Sequence, residues 1–362
     1  MTIGSSIKLE HGAGGEGMHE LLKLVLSYFN FSFTANSGDG GIRSMIEVPL
    51  QALDDSAVVA DIVFTTDSHT VKPLFFPGGD IGSLAVAGTV NDISVMGAQP
   101  LGLSVAFVIE EGFPMHDFER VLASMKHTCE AAEVAVVTGD TKVVERGAVE
   151  QLVVNTSAIG RRTAALERNL AEVRKYRALN SNWLLDSNLR AGDRIIVSGY
   201  VGDHGVALLS FREGFEFDTA LESDIAPLNK PIQTILEVGG IVAMKDPTRG
   251  GLANLLNEFS AKSNVGILIE EASIPVRKSV RSACELLGID PLEVGNEGKL
   301  VLGVVKEQAE AVLAALRETE QGRDAAIIGT ATAAVKGVVM KTRVGGMRIV
   351  ETPLGDPVPR IC

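Results

Sequence analysis

The sequence predicts an α+β fold of two domains followed by an extended C-terminal tail. Its 362 residues are long for a single hydrophobic core, so two domains are the default expectation. Strand-like and helix-like stretches occur in both halves without the strict alternation that a doubly wound sheet requires. Prolines at positions 353, 357 and 359 exclude a regular helix from the end of the chain.

Composition, glycine content and charge patterning divide the chain into five expected segments. The part called a linker or insertion is charged and mixed, with at most a short amphipathic helix. The expected segments are a glycine-rich loop and helix at 1–35, an N-terminal domain at 36–160, a linker or insertion at 161–190, a C-terminal domain at 191–350 and a mobile tail at 351–362.

Apolar periodicity predicts the elements of the first half. A helical spacing follows the glycine-rich loop, and a β-branched run ends in Asp67, which is typical of a buried strand. The small-residue helix over 81–96 contains the pair Asn91 and Asp92, which is unfavourable there unless the pair binds something. The expected elements are helices over 18–29, 81–96 and 115–132, strands over 62–67, 101–109, 134–138 and 151–159, and a loop at 139–142.

The second half shows the same mixture of periods. Short β-branched runs predict its strands, and longer apolar repeats predict its helices. The expected elements are strands over 194–198, 266–270, 300–305 and 325–330, helices over 206–212, 228–238 and 306–316, and a loop at 246–251 that opens a helix at Leu252.

Charge and cysteine content exclude several classes of protein. The net charge of −13 argues against binding to nucleic acid, which needs a basic face. No apolar run approaches the roughly 20 residues that a membrane span requires, and residues 1–15 do not resemble a signal peptide. The three cysteines, Cys129, Cys284 and Cys362, are too few for a disulfide framework and indicate a reducing compartment. We therefore expect a cytoplasmic protein.

Two features together indicate a site for a nucleotide triphosphate. The run His-Gly-Ala-Gly-Gly-Glu-Gly at 11–17 can present successive backbone N–H groups to phosphate. Aspartates at strand or loop ends provide hard oxygen ligands, which favour Mg²⁺ where His and Cys ligands are not clustered. The expected metal ligands are Asp55, Asp67, Asp92 and Asp140, with Lys142 as the accompanying cation.

The tail has two interpretations on its residues alone. Cys362 either ends a frayed terminus or is carried as a reactive thiol into a site elsewhere in the protein. Arg360 lowers the pKa of a neighbouring thiol, and a carboxylate raises it. The cysteine is not fourth from the end, so the tail is not a prenylation motif.

Nine stretches, in order along the chain from residue 11 to residue 362, resemble the HypE family of carbamoyl dehydratases. This family belongs to the aminoimidazole-ribonucleotide-synthetase-like ATP-binding superfamily and acts in [NiFe]-hydrogenase maturation. The stretches are His-Gly-Ala-Gly-Gly at 11–15, Phe-Thr-Thr-Asp-Ser at 64–68, Pro-Leu-Phe-Phe-Pro-Gly-Gly at 73–79, Asn-Asp at 91–92, Thr-Gly-Asp-Thr-Lys at 138–142, Gly-Asp-His-Gly at 202–205, Asp-Pro-Thr-Arg-Gly-Gly at 246–251, Asn-Glu-Gly-Lys at 296–299 and Pro-Arg-Ile-Cys at 359–362.

The resemblance implies a fold, a reaction and partners. The N-terminal, ATP-binding domains would pair in a homodimer around a β-barrel, and the C-terminal domain would be an α/β sandwich. A carbamoyltransferase, HypF, would place a carbamoyl group on Cys362. The protein would use ATP and Mg²⁺ to dehydrate that group to a thiocyanate. The cyanide would then pass to iron on a HypC–HypD complex.

The resemblance also implies roles for individual residues. Glu297 is the expected base, Lys142 steadies developing negative charge, and Cys362 carries the substrate. His204 is either a direct catalyst or a structural hydrogen-bonding histidine. The expected nucleotide-binding residues are His11, Gly12, Gly14, Gly15, Asp67, Asn91, Asp92, Asp140, Thr141, Asp246 and Arg249.

Other interpretations remain open on the sequence. Most superfamily relatives act on free small molecules, so an ATP-dependent synthetase or kinase is the main alternative. A third possibility is an adaptor whose tail only docks a partner. The segment 163–181 looks longer and more charged than the family's usual connection. The unusual spacing of 38–55 leaves open whether Asp55 or Asp39 binds the metal.

Overall fold

The computed structural model describes residues 6–12, 14–29, 45–214, 221–355, 357–358 and 360–362. Asp39, the alternative metal ligand, lies outside these residues. The described residues form a six-stranded sheet, a seven-stranded sheet and a two-stranded hairpin, with helices packed against the two large sheets. The element order and the two-domain α+β architecture follow the fold class that the sequence predicts.

The first sheet has six strands in the order β1-β2-β3-β8-β6-β7. Strands β6 and β7 are parallel, and the other neighbours are antiparallel. A separate hairpin joins β4 and β5. The strands are β1 (Ile46–Val48), β2 (Ala57–Val59), β3 (Ile62–His69), β4 (Phe75–Phe76), β5 (Gly79–Asp80), β6 (Gln99–Glu110), β7 (Val136–Val144) and β8 (Leu152–Arg161).

One face of this sheet is covered by helix α2 (Ile81–Val95), which packs against β3 and β8. Its small apolar side chains are almost all buried. A capping box fixes its start, because the Asp80 carboxylate accepts hydrogen bonds from the backbone N–H groups of Gly82 and Ser83. Helix α3 (Met115–Ala132) lies against α2 and closes this layer.

The other face of the sheet leaves apolar side chains uncovered. Phe64 and Ile159 form a cross-strand pair there, and both are exposed. Val137 on the edge strand β7 lies beside Gly102 on this face and is exposed as well. The sheet is open at both edges within one chain, so the described residues of a single chain form no closed barrel.

The second sheet has seven strands in the order β10-β12-β9-β13-β11-β14-β15. All neighbours are antiparallel except β11 and β14. The strands are β9 (Arg194–Val197), β10 (Ile241–Lys245), β11 (Gly266–Glu270), β12 (Val301–Val304), β13 (Ala326–Thr332), β14 (Val338–Lys341) and β15 (Met347–Val350).

Helices surround this sheet and connect it to the first half. Contacts between α2 and α6 join the two halves, and α7 packs on β11 and β14. The remaining helices in the described residues are α1 (Gly15–Tyr28), α4 (Ala164–Tyr176), α5 (Asp203–Glu213), α6 (Asn229–Val238), α7 (Gly251–Ser263), α8 (Lys278–Leu287) and α9 (Ala309–Arg317).

Most expected elements are confirmed, and one expectation needs correction. The stretch 139–142 is predicted to be a loop, but it lies inside β7 because β6 pairs with β7 along its length. The segment 161–190 contains the expected short amphipathic helix, α4, which packs against α6 and β10. Its apolar side is buried through Leu166, Leu170 and Val173.

A buried ion pair ties α4 to the second sheet. Both carboxylate oxygens of Asp193 accept hydrogen bonds from the Arg177 guanidinium, at 2.8 and 2.9 Å. The same guanidinium donates to the Asn188 carbonyl at 2.9 Å, and the Arg190 backbone N–H donates to Asp193. Asp193 is buried just before β9, so the pair fixes where the connection enters the sheet.

We expect Arg177→Ala to lower the free energy of unfolding by about 3–5 kcal/mol, because it leaves the Asp193 carboxylate buried without its partner. The measurement is urea denaturation followed by the fluorescence of Trp183. Lys175→Ala removes the exposed pair with Glu172 and serves as the control, with a change below about 1 kcal/mol. Equal losses in the two variants would contradict this role for the buried pair.

Candidate active site around the docked tail

The end of the tail lies against residues 70–72 in the manner of an added strand. The Thr70 backbone N–H donates to the main-chain oxygen of Cys362 at 3.1 Å, and the Lys72 N–H donates to Arg360 at 3.3 Å. In return, the Arg360 guanidinium donates to the Thr70 carbonyl at 2.9 Å. Main-chain groups therefore hold the last residues in place.

Side chains complete this docking. Ile361 and Val358 are buried in the hydrophobic core. An ion pair joins the Arg360 guanidinium to Glu150 at 2.6 Å, and Arg212 donates to the Arg360 carbonyl. We call residues 357–358 and 360–362 in this position the docked tail.

His204 contacts the backbone of the docked tail rather than the Cys362 side chain. Its Nε2 lies 2.8 Å from the Ile361 carbonyl oxygen, which can only accept, so Nε2 carries the proton. Its Nδ1 then accepts from the Ser223 hydroxyl at 2.7 Å. Burial lowers the pKa of His204, so the ring is neutral near pH 7. The ring is fully buried and does not line the cavity described next.

Docking places Cys362 in a cavity of about 460 Å³ between the two halves of the chain. Strand β3, the loop before α7 and the glycine-rich stretch before α1 supply most of its walls. The expected site residues that line it are Gly14, Gly15, Asp55, Asp67, Asp92, Asp246, Arg249, Glu297 and Cys362.

Three carboxylates gather at one side of this cavity. Asp55, Asp92 and Asp246 each offer an oxygen within 4.8 Å of the others. Burial and the neighbouring carboxylates raise the pKa of Asp92 well above its usual value, that of Asp55 to about 8 and that of Asp246 to about 6. Oδ2 of Asp246 is buried without a hydrogen-bond partner.

This donor set fits a hard divalent cation such as Mg²⁺, which takes oxygen ligands and offsets their mutual repulsion. Of the four expected metal ligands, Asp55 and Asp92 belong to the cluster. Asp67 lines the cavity but stands outside the cluster, and Asp246 occupies the third position. Asp140 lies on β7, away from the cavity.

Two lysines balance the negative charge behind the cluster. Lys245 Nζ lies 2.8 Å from Asp55, 3.2 Å from Glu258 and 3.4 Å from Asp186. Lys262 contacts Asp186 at 2.7 Å. Burial would raise the pKa of Glu258, but Lys245 and its neighbours hold it at about 2. Sequence reasoning missed these residues, although Lys245 stands directly before the Asp-Pro-Thr-Arg motif.

Glu297 projects from a loop that is fixed from both sides. Its backbone N–H donates to Asp224 at 3.0 Å, and its carbonyl accepts from the Asn91 amide at 3.4 Å. Asn91 also accepts from the Leu228 N–H, which accounts for a buried amide inside α2. Burial, reinforced by Asp246 and Asp224, raises the pKa of Glu297 well above its usual value. Its Oε1 has no hydrogen-bond partner.

The glycine-rich stretch reaches the cavity at one end only. Gly14 and Gly15 have left-handed φ angles of +80° and +68° and line the cavity. A Cβ at position 15 would lie 1.9 Å from the Pro353 carbonyl, so the stretch packs directly on the start of the tail. His11 accepts from the Lys8 N–H instead, and neither His11 nor Gly12 lines the cavity.

Three other expected residues lie on β7, away from the cavity of their own chain. Lys142 forms an exposed ion pair with Asp140 at 2.9 Å. The Thr141 backbone N–H donates to the same carboxylate at 2.9 Å. Within one chain, the structure does not bring these residues together with Glu297 and Cys362.

His69 is a cavity residue that sequence reasoning missed. It follows Asp67 by two positions on β3, so strand alternation puts both side chains on the same face. Burial lowers the pKa of His69 to about 4. This alternation was the signal available in the sequence. In the structure, Thr65 on the same face donates to Asp92 at 2.9 Å, which shows that this face of β3 reaches the cluster.

Comparison with known proteins defines the class. The AIR synthase related N-terminal domain family matches residues 53–162, and the corresponding C-terminal domain family matches residues 190–341. Together they cover more than half of the chain, which therefore belongs to the AIR synthase related proteins. No helix among the described residues has the length and apolar character to cross a membrane.

Similarity to individual proteins identifies the family within this class. The chain belongs to the HypE family of carbamoyl dehydratases. It is 42% identical to the carbamoyl dehydratase HypE of Escherichia coli K12, covering 99% of this chain and 100% of the relative. It is 50% identical to a putative hydrogenase expression/formation protein of Methanocaldococcus jannaschii, covering 97% and 98%.

Solved structures agree with this placement. A HypE–HypF complex contains a chain with a TM-score of 0.78 and 43% identity, covering 91% of this chain and 99% of the other. The hydrogenase maturation protein HypE in complex with ATP has a TM-score of 0.76 and 42% identity, covering 99% and 100%.

We expect Mg²⁺ to raise the thermal unfolding temperature, and Asp92→Asn to weaken Mg²⁺ binding by more than about tenfold. Protons compete with the cation for the cluster oxygens. Affinity therefore rises between about pH 6 and about pH 8, the range spanned by the pKa values of Asp246 and Asp55.

The measurement is differential scanning fluorimetry with a Mg²⁺ titration at both pH values. Asp61→Asn is the matched control, because Asp61 is an exposed aspartate in the turn after β2 and far from the cluster. An Asp92→Asn titration that overlays the Asp61→Asn titration would argue against a cation at these carboxylates.

Proposed function

We propose that this chain is an ATP-dependent carbamoyl dehydratase that acts on its own Cys362. It converts an S-carbamoyl group to a thiocyanate, the source of the cyanide ligand on the iron of [NiFe]-hydrogenase. One observation carries the proposal: the docked tail brings Cys362 into the cavity that holds the carboxylate cluster, Arg249 and Glu297. A substrate atom on the enzyme's own tail explains why the tail is built to dock.

The reaction balances with ATP as the only co-substrate. The amide oxygen of the S-carbamoyl group attacks the γ-phosphorus of ATP, ADP leaves, and one N–H proton is lost. The C–O bond then breaks with its electron pair, which leaves on phosphate. The second N–H bond supplies the pair for the C≡N bond, and its proton goes to a base. Water is thus removed as phosphate and two protons.

The cavity residues suit these steps. Asp55, Asp92 and Asp246 would hold Mg²⁺, which supplies charge neutralisation for the transferring phosphoryl group. Gly14 and Gly15 present backbone near the phosphates, and Arg249 adds a permanent positive charge beside Cys362. A relative of the same family has been solved in complex with ATP, which supports ATP as the co-substrate.

Glu297 is the proton acceptor for the amide nitrogen. It lines the cavity together with Cys362, and its Oε1 has no competing partner. Its raised pKa means that an accepted proton is held firmly in the low-dielectric cavity. Because burial favours the protonated form of Glu297, its ionised fraction, and with it the dehydration rate, increases as the pH rises.

We propose that the protein forms a homodimer through the uncovered face of the first sheet. That face exposes Phe64, Ile159 and Val137, which is unfavourable for an isolated chain. Pairing of two such sheets would close a barrel and cover these residues. Lys142 and Asp140 lie on this face at the edge strand β7, with Thr141 between them along the strand. These residues would then act at the partner subunit's cavity, where Lys142 would stabilise charge on phosphate.

The proposed partners follow from the same family. A HypE–HypF complex has been solved for relatives, which supports a carbamoyltransferase as the donor to Cys362. A HypC–HypD complex is the proposed acceptor of the cyanide. We place the reaction in the cytoplasm, consistent with three cysteines that form no disulfide bond.

The first test is the intact mass of the protein after carbamoylation by its donor enzyme, with and without Mg²⁺-ATP. We expect an adduct on Cys362 that loses one water only when ATP is present. Cys362→Ala accepts no carbamoyl group, whereas Cys284→Ala removes a buried thiol and behaves like the wild type. An unmodified tail, with ATP consumed on an added metabolite, would instead identify a small-molecule synthetase or kinase.

The dimer assignment predicts complementation between two inactive variants. Lys142→Ala and Glu297→Gln each abolish dehydration alone. When the two variants are refolded together, half of the random dimers are heterodimers, and each heterodimer has one intact site out of two. About a quarter of all sites are therefore intact, so about a quarter of the carbamoyl adduct loses water, as measured by intact mass. Without recovery in a verified heterodimer, Lys142 does not act across the dimer.

A further inference from the structure

His69 is a polar residue of the cavity to which the reaction in the previous section gives no role. His69 is 4% exposed, and its Nδ1 is buried without a hydrogen-bond partner. The ring lines the cavity together with Glu297 and Cys362. An unpartnered buried nitrogen costs free energy in the resting protein, so its retention in the cavity that holds Cys362 requires a reason.

The groups around the ring favour one tautomer. The Thr156 hydroxyl lies 3.2 Å from the Ala85 carbonyl oxygen, which can only accept, so we assign its single hydrogen to that bond. Thr89, 2.6 Å away, then donates to Thr156. His69 Nε2, 3.2 Å from the Thr156 oxygen, donates to it as well. With this assignment His69 carries its hydrogen on Nε2, and Nδ1 presents a lone pair that can only accept.

The position of His69 relative to the tail is fixed by its neighbour. Thr70, the next residue, donates its backbone N–H to the main-chain oxygen of Cys362 at 3.1 Å. Gly88 keeps the space beside the ring open, since a Cβ there would lie 3.5 Å from His69 Cε1. The docked tail therefore brings whatever is attached to the sulfur of Cys362 to the neighbourhood of this acceptor.

We propose that His69 Nδ1 accepts a hydrogen bond from the N–H of the carbamoyl group on Cys362. This inference rests on the proposed function, because it presupposes the carbamoyl substrate. The unmodified Cys362 side chain carries one weak S–H donor, whereas a carbamoyl group carries two N–H donors, so carbamoylation supplies a partner for the unpartnered Nδ1. A carbamoyl nitrogen has two N–H donors, and Glu297 and His69 supply one acceptor each.

The contact assists the first chemical step. An acceptor at N–H draws the hydrogen away from nitrogen and shifts electron density along the amide to its oxygen. The oxygen then becomes a better nucleophile toward the γ-phosphorus. The contact also orients the carbamoyl group. Holding its nitrogen at His69 directs its oxygen, which is bonded to the same carbon, away from His69. His69 is a substrate-contacting residue in this scheme, with Thr156 as its positioning residue.

Two substitutions separate this role from a structural one. His69→Asn places an amide oxygen near the position of Nδ1 but loses the donor to Thr156. His69→Gln keeps a donor near the position of Nε2 but removes the acceptor at Nδ1. If His69 contacts substrate, His69→Asn dehydrates at least about tenfold faster than His69→Gln. If His69 only supports the fold, the order is reversed.

The rate is measured in a single turnover on protein that already carries the carbamoyl adduct, started with Mg²⁺-ATP and followed by intact mass. Wild type that carries the adduct but never loses water overturns the proposed function itself. Wild type that dehydrates, with His69→Gln equal to it or faster than His69→Asn, overturns only the role of His69. ATP binding and the extent of carbamoylation serve as controls and stay unchanged in both variants.

A spectroscopic measurement tests the contact without any substitution. In protein with ¹⁵N-labelled histidine rings, the unprotonated Nδ1 of His69 moves toward lower frequency when it accepts a hydrogen bond. We expect this shift when the tail is carbamoylated in the absence of ATP. The buried His204 ring, which keeps its partners in both states, is the internal reference. An unchanged His69 resonance on fully carbamoylated protein would refute the contact.

Discussion

The docking of the tail by its main chain is the interaction on which the rest of the site depends. Thr70, Lys72 and His204 bind backbone atoms of residues 360–362, and none of these contacts involves the sulfur. Burial of Ile361 supplies apolar free energy of about 1.5–3 kcal/mol to the same arrangement. The cavity walls come from both halves of the chain, but only the tail delivers the atom on which the chemistry acts.

Charge inside the cavity is arranged in two layers. The carboxylates of Asp55, Asp92 and Asp246 face the space that the nucleotide would occupy, while Lys245 and Lys262 stand behind them. The lysines offset part of the repulsion among the carboxylates but do not take the place of a cation between them, because Lys245 also binds Asp186 and Glu258. A site built this way stays folded without a cation and keeps its affinity for one.

Local patterns in the sequence predicted the fold class, helix α2 and the strand that ends near Asp67. They also indicated that Asn91 and Asp92 serve a site. They could not show which carboxylates meet, because Asp246 reaches the cluster from the second half through tertiary contacts. Gly139 and Asp140 predicted a loop locally, but hydrogen bonding between β6 and β7 keeps them in the strand. His69 was missed because its significance appears only once its hydrogen bonds are known.

The docked tail has a consequence for its encounter with other proteins. An enzyme that modifies Cys362 must reach a residue that is half-buried in the cavity, so it can bind only molecules whose tail has come out. The apparent affinity of that enzyme is the intrinsic affinity multiplied by the fraction of undocked chains. Contacts that hold the tail, such as those of His204 and Arg212, thereby set the rate at which each cycle can begin. A more tightly bound tail would favour the chemistry in the cavity but would slow the modification of Cys362 that supplies its substrate.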